Sequence, residues 1–302
     1  MSVATLDPPR PAPPDRTATG SPGGRRRRPV LRRLPVWIAI AVILVIEIYP
    51  IFWLLTSSFK TQTEFLGEPA WSLPSSLNLD NYVEALTTGQ IGRNLLNTVI
   101  VTVPSLLVIL LLGSAAGYAL EVMVWKGRHL TLLVFVGGIM VPGQMIIVPL
   151  FVAYFRLGLT ETYAPLIITY IALGLPLTVF MMAAYLRAVP RELFEAAAID
   201  GAGMLRSFFS IGLPLMKNAI FTIALIEFFS IWNDLLVALT FTTNPELATI
   251  QVGLLNFRGE FGSIEYGPLF AGICVNVFGT LVLYLFLNQR IMRGLAGGAL
   301  KG

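Results

Sequence analysis

Six stretches of this chain, at about residues 34–56, 95–120, 130–152, 163–186, 214–240 and 266–288, are nearly unbroken apolar runs. Each reaches the roughly 20 residues that a helix needs to cross the hydrocarbon core of a bilayer. Inside that core every backbone N–H and C=O must find its partner within the protein, which leaves helices as the natural form for such runs. Composition agrees: 55% of the 302 residues are hydrophobic, 13% are charged and the mean hydropathy is +0.75. Soluble domains carry about a quarter charged residues. The expectation is an all-α, polytopic membrane protein with six transmembrane helices.

The basic residues orient it. With six spans both termini share one side, and all but four of the 21 Lys and Arg fall there; the exceptions are Lys60, Arg93, Arg156 and Arg258. The positive-inside rule then places both termini in the cytoplasm. Residues 1–34, rich in Pro, Gly and Ser and carrying Arg25 to Arg28, read as a disordered basic tail. The apolar run behind them is too long for a signal peptide and lacks a small-residue cleavage site, so it reads as an uncleaved first span. Residues 35–289 form the membrane domain, and residues 290–302 a cytoplasmic C-terminal tail.

Several spans are interrupted. Pro50 sits in the first, Pro142, Gly143 and Pro149 in the third, and Gly174 and Pro176 in the fourth. Broken helices at membrane depth are tolerated where they line a cavity or are buried in protein. Gly113 and Gly117 make a small-xxx-small pair that allows close helix contact. Glu47, Glu227 and Asp234 fall within spans, where carboxylates are costly and are functional candidates. Glu227 and Asp234, seven residues apart, are expected on one helix face. Together they suit a proton or cation relay, or Asp234 is merely interfacial. Asn97, Gln144, Tyr170, Trp232, Asn233, Asp234 and Asn276 are the candidate translocation-pathway residues; neutral hydrogen-bonding groups with aromatics suit a sugar, and also other polar solutes. Thr98, Thr102 and Ser105 share a face, and their hydroxyls are expected to bond back to helix carbonyls.

Some chemistry is missing. His129 is the only histidine and Cys274 the only cysteine, so no His or Cys cluster exists to hold zinc. No Gly-Lys dipeptide occurs, hence no phosphate-cradling loop of the Walker type.

Between about 187 and 213 the hydropathy falls. Pro190 suits a first helical turn, Arg191 to Ile199 are mostly good helix formers, and Gly201 is placed to end the helix in a left-handed cap. A second short helix, Met204 to Ile211, is expected to lead into the fifth span. This helix, Gly turn and helix either docks a partner or rests on the membrane surface.

The wording from Pro190 through Glu195-Ala196-Ala197-Ala198-Ile199-Asp200-Gly201-Ala202, followed by Ile211 and Leu213-Pro214, resembles the EAA loop of ABC importer permeases. Ser57 to Lys60, Asn78 to Tyr82, Asn94 to Thr98, Trp232-Asn233-Asp234 and the tail from Arg293 are similar to the carbohydrate branch, of the maltose-transporter type. The likeness runs from about residue 35 to the end. Glu47 and the basic tail stand outside it.

The resemblance implies a type I ABC importer permease (MetI-like) fold in a bacterial inner membrane. It implies a second, homologous permease subunit, an extracytoplasmic solute-binding protein, and two cytoplasmic ATPase subunits that use ATP and Mg; no cofactor and no nucleic acid belong to this chain. Glu195, Ala196, Ala197, Asp200 and Gly201 would form the ATPase-docking surface, and Ile211, Leu213 and Pro214 the junction with the fifth span. A proton- or cation-coupled secondary transporter using Glu227 and Asp234 is the alternative, although no internal repeat of the kind common in such carriers is visible.

Overall fold

A computed structural model describes residues 34–257 and 263–299. Nearly all of the expected basic tail, the outer-loop residue Arg258 and the last three residues lie outside the described residues. The helices in chain order are α1 (Leu34–Ser57), α2 (Gln62–Gly67), α3 (Asp80–Thr87), α4 (Ile91–Glu121), α5 (Arg128–Met140), α6 (Gly143–Arg156) and α7 (Ala164–Arg187). There follow α8 (Glu192–Ile199), α9 (Met204–Ser207), α10 (Leu213–Leu215), α11 (Lys217–Trp232), α12 (Leu236–Phe241), α13 (Ile250–Gly253) and α14 (Tyr266–Ala299).

The chain divides into two compact units at Pro50. In the first, the described side chains from Pro35 to Pro50 are all exposed, as expected of a helix whose apolar surface faces lipid. The second unit, from Ile51 on, holds the core. Its spine is the pair α4 and α7. A Cβ added to Gly117 would lie 2.6 Å from Met182 Cβ, and one added to Gly113 would strike the Thr178 side chain. The two glycines therefore set the approach of the helices, which is the close contact that their spacing predicts. Met182, Val179 and Ile109 are fully buried along this seam.

Among the described residues, three helices are long and apolar enough to cross a membrane alone, α1, α4 and α7; two bent pairs raise the number to five. The third expected span, 130–152, is one of those pairs: α5 and α6 meet at 94° across Val141 and Pro142. Proline supplies no N–H and disfavours helix in the residue before it, so Pro142 ends α5. The fifth span, expected as one helix over 214–240, is not one. The chain bends by 72° between Leu215 and Lys217, and α11 stops at Trp232, with a separate α12 beyond it. The sixth expected span falls in α14, whose opening part, Tyr266–Val282, is a shorter apolar helix.

Outside the spans, α2 and α3 pack against α14. Thr61 and Glu64 make a capping box at the start of α2. Ser75 donates to Glu64 from both its hydroxyl and its N–H, and with the Thr61 N–H these bonds hold the Glu64 carboxyl down at about 2. Asn81 Nδ2 donates to the carbonyls of Ser58 (2.8 Å) and Lys60 (2.9 Å), fastening α3 to the end of α1.

The α4–α7 seam yields a stability test. Gly117→Val should destabilise the fold by about 1–3 kcal/mol through overpacking. Gly137→Val, in α5 with nothing within 4 Å of the new Cβ, is the matched control. Equal melting temperatures for the two variants in detergent would show that the seam is not close-packed.

Candidate functional site

Two regions gather the candidate residues. The first is the loop between α7 and α11. Helix α8 ends as the sequence predicts, with Gly201 in the left-handed region at φ 77°. The Ala202 N–H donates to the Ala197 carbonyl (2.9 Å) and the Gly201 N–H to that of Ala198 (3.1 Å). These are the paired bonds of a Schellman cap. Nothing lies within 4 Å of the Gly201 Cβ position, so the surface there is open.

Helix α8 is fastened to the bundle by its inner face. Phe194 and Ala197, three apart, are buried. The Phe194 ring packs edge-on against Tyr118 of α4 at 5.7 Å, and Tyr118 packs in the same way on Phe208 at 5.3 Å. Tyr118 Oη donates to Ser207 Oγ (3.1 Å). Glu121 at the end of α4 accepts from Arg187 and pairs with Arg191 at 3.7 Å. The second short helix expected over Met204 to Ile211 is instead one α-turn, α9, followed by a π-helical turn, Phe208–Gly212. Such turns concentrate at functional sites. Here Gly212 lets the backbone pass against the Tyr118 ring.

The outward face carries Glu195, Ala196, Asp200 and Gly201, all exposed, while Ile211 and Leu213 are half-buried and Pro214 is exposed. Ala197 faces the bundle rather than outward, so its small side chain serves the packing of α8 on α4. Four apolar residues that the sequence reading left out join this surface: Leu193, Ile199, Met204 and Leu205, exposed by 46, 86, 63 and 75%. The signal was available. Once Phe194 and Ala197 define the buried face of α8, Ile199 is an apolar residue on the wrong side, and Leu193 stands at the edge of that face.

The second region holds the polar residues of the spans. Asn97 spends its whole amide on structure. Its Nδ2 donates to the Glu246 and Ala248 carbonyls (2.8 and 2.9 Å), and its Oδ1 accepts from Tyr163 Oη (2.8 Å). With the Ile250 N–H donating to Thr98 Oγ1 (2.8 Å), it ties the segment before α13 to α4. Thr98 and Ser105 donate back to helix carbonyls as expected, whereas Thr102 Oγ1 has no partner. Gln144 is exposed at the α5–α6 bend.

Asp234 and Glu227 do not share a helix face, because α11 ends two residues before Asp234. The Asp234 carboxylate is half-buried and caps α12, its Oδ2 accepting from the Val237 and Ala238 N–H groups (3.0 and 3.1 Å) and from Tyr170 Oη (2.9 Å). Glu227 is buried beside Gly174 of α7, where a Cβ would come within 2.7 Å of its Oε2. Trp232 Nε1 donates to Asn276 Oδ1 of α14 (3.0 Å), and Asn233 lies exposed beside them. Trp232, Asn233 and Asn276 are thus brought together at α11 and α14; Tyr170 and Asp234 form a separate pair. Among the described residues no cluster of His, Cys, Asp and Glu could hold a metal.

Residues 89–291 match the family described as binding-protein-dependent transport system inner membrane component. The chain belongs to this family. The permease is 36% identical over 258 residues to a diacetylchitobiose uptake system permease protein of Streptomyces coelicolor, covering 85% of each chain. It is 33% identical over 278 residues to a trehalose/maltose transport system permease protein of Thermococcus litoralis, covering 91% of this chain and 99% of that one. Its fold is shared with a chain of a bacterial ABC transporter involved in the import of alginate: TM-score 0.74, 20% identity, covering 87% of this chain and 97% of the other. The permease is accordingly a multi-pass membrane protein and a transport subunit. Membership of an ABC importer family displaces the secondary-transporter alternative.

The role of Asp234 in this permease is testable. If it is a cap, Asp234→Asn keeps the accepting oxygen and near-normal stability, while Asp234→Leu loses about 1–3 kcal/mol by orphaning buried donors. A proton relay would instead show Asn and Leu equally damaging to transport, with both proteins equally stable in thermal melts.

Proposed function

We propose that this permease forms half of the translocation pathway of an ATP-driven, binding-protein-dependent importer of a sugar or oligosaccharide. The observation that carries the reading is α8: a capped helix fixed to α4 by its buried face, presenting an open acidic and apolar face around Gly201. The names of the relatives support the sugar class, since both named above are permeases for glycan or disaccharide uptake.

In this reading two ATPase subunits supply ATP chemistry, for which this chain has no phosphate loop. A second, homologous permease completes the pathway, and an extracytoplasmic binding protein delivers solute. The excess of Lys and Arg supports cytoplasmic termini and a cytoplasmic α8. Residues 35–289 are the permease domain between two cytoplasmic tails. Glu195, Ala196, Asp200 and Gly201, with Leu193 and Ile199, meet the ATPase, and Ala197 holds α8 against the bundle. Ile211, Leu213 and Pro214 fix the junction with α11. Closure of the ATPase dimer moves α8, and its aromatic attachment to Tyr118 passes the movement into α4. Asn97, Gln144, Tyr170, Trp232, Asn233, Asp234 and Asn276 are assigned to the pathway or to the parts that shape it.

The test separates backbone from charge at Gly201. Asn tolerates left-handed backbone, so Gly201→Asn should insert normally and keep most of the uptake. Gly201→Asp has the same shape and adds a negative charge at the docking face; it should insert normally and abolish uptake. Gene-deleted host cells carrying each variant would be assayed with labelled maltose, trehalose and N,N′-diacetylchitobiose. Normal uptake by the Asp variant would overturn the coupling role of α8.

A further inference from the structure

A cleft of about 380 Å³ opens between α11 and α14 in the second unit. Phe229, Asn233, Asn276, Thr280 and Tyr284 form the walls that matter, and among the described residues no charged side chain lines it. The volume is in the range of small-molecule sites.

Asn276 distinguishes this cleft from the other apolar grooves on the surface. The residue is only 7% exposed. Its Oδ1 is occupied by the Trp232 indole N–H (3.0 Å), which fixes the amide in one orientation. Among the described residues its Nδ2 has no hydrogen-bond acceptor, and Asn276 itself lines the cleft. An amide N–H so buried and unpaired in an apolar wall is costly unless something supplies an acceptor. Asn233 adds the complementary group. Its Nδ2 is held by the Phe229 carbonyl (3.0 Å), leaving Oδ1 to accept. Phe229 and Tyr284, with ring centroids 6.1 Å apart, add aromatic faces beside these groups.

We propose that this cleft is a solute subsite of the permease that takes a neutral saccharide: Asn276 Nδ2 donates to a sugar hydroxyl oxygen, Asn233 Oδ1 accepts from a sugar O–H, and the Phe229 and Tyr284 rings face the C–H side of the pyranose. The proposal rests on the sugar reading above and deepens it, because it assigns contacts with the solute to this chain itself. The lack of charge favours a neutral sugar over a uronic or amino sugar, whose ionised group would be left unpaired here. The Trp232–Asn276 bond makes Trp232 a positioning residue for the donor.

The experiment uses the whole importer in proteoliposomes: this chain, its partner permease, its ATPase and its binding protein. Maltose, trehalose and N,N′-diacetylchitobiose are the probes, and uptake is measured per ATP hydrolysed. Asn276→Leu alone would also orphan the Trp232 indole, so it is made in a Trp232→Phe background and compared with Trp232→Phe by itself. Loss of one neutral hydrogen bond to the solute is expected to lower uptake per ATP by about tenfold. Tyr284→Ala should lower the same ratio, and Tyr284→Phe should restore it. If uptake and ATP hydrolysis fall together, Asn276 is a structural pin and the subsite is overturned. Unchanged uptake means that the cleft is filled by lipid acyl chains, which overturns it too. If the wild-type importer moves none of the three sugars, the sugar reading falls and the subsite falls with it; a wild type that transports while the variants stay normal removes the subsite alone.

Discussion

The approach of α4 to α7 through Gly113 and Gly117 is the contact on which the other features depend. It leaves no room for a side chain larger than hydrogen at either position, so the two helices pack almost backbone to backbone. Helix α4 is 31 residues long, about 45 Å at 1.5 Å per residue. One end bears Tyr118 and Glu121, which hold the α8 loop; the other bears Asn97 and Thr98, which hold the segment before α13. A single helix fixed to both elements, and locked along its middle to α7, joins them mechanically. Movement imposed on α8 is then carried through the bundle rather than absorbed at the surface.

The same logic explains the places where α4 and α7 accept polar neighbours. Gly174 makes space for the Glu227 carboxyl from α11 just as Gly113 makes space for Thr178. Small residues on these helices thus serve two ends. Some bring backbones together, and others let a polar side chain enter a seam that a methyl group would close.

Much of this was legible in the sequence, and the failures have physical causes. Gly201 was readable because a helix-forming run followed by Gly has one favoured ending, and that ending is local. The Gly113–Gly117 contact was readable because the spacing is local too. The break after Trp232 was not, since Leu235 to Phe241 stay apolar and hydropathy does not fall there. What stops α11 is the Asp234 carboxylate, which accepts from two backbone N–H groups of the next helix and from Tyr170, 64 residues earlier. The engagement of Asn97 was hidden in the same way. Its partners lie 149 and 151 residues away, so it looked like a free amide in a membrane span and is a fully engaged brace. The inward turn of Ala197 was hidden because a run of three alanines carries no amphipathic signal.

Polar side chains in an apolar bundle therefore sort by whether their hydrogen-bonding capacity is spent. Asn97 and Asp234 are spent on the fold: every oxygen or nitrogen that takes part holds a loop or caps a helix. Such groups fix the shape of a pathway without touching what passes along it. Asn233 and Asn276 are different, because each has one end tied to the protein and the other end unpaired. A buried half-satisfied amide such as that of Asn276 is worse for stability than either a full network or an apolar residue, so the fold alone gives no reason to retain it beside Asn233. A passing solute does, since it supplies the missing donor and acceptor while it is bound and removes them when it leaves. That asymmetry suits transport, in which contacts with the cargo must be favourable enough to admit it and few enough to release it.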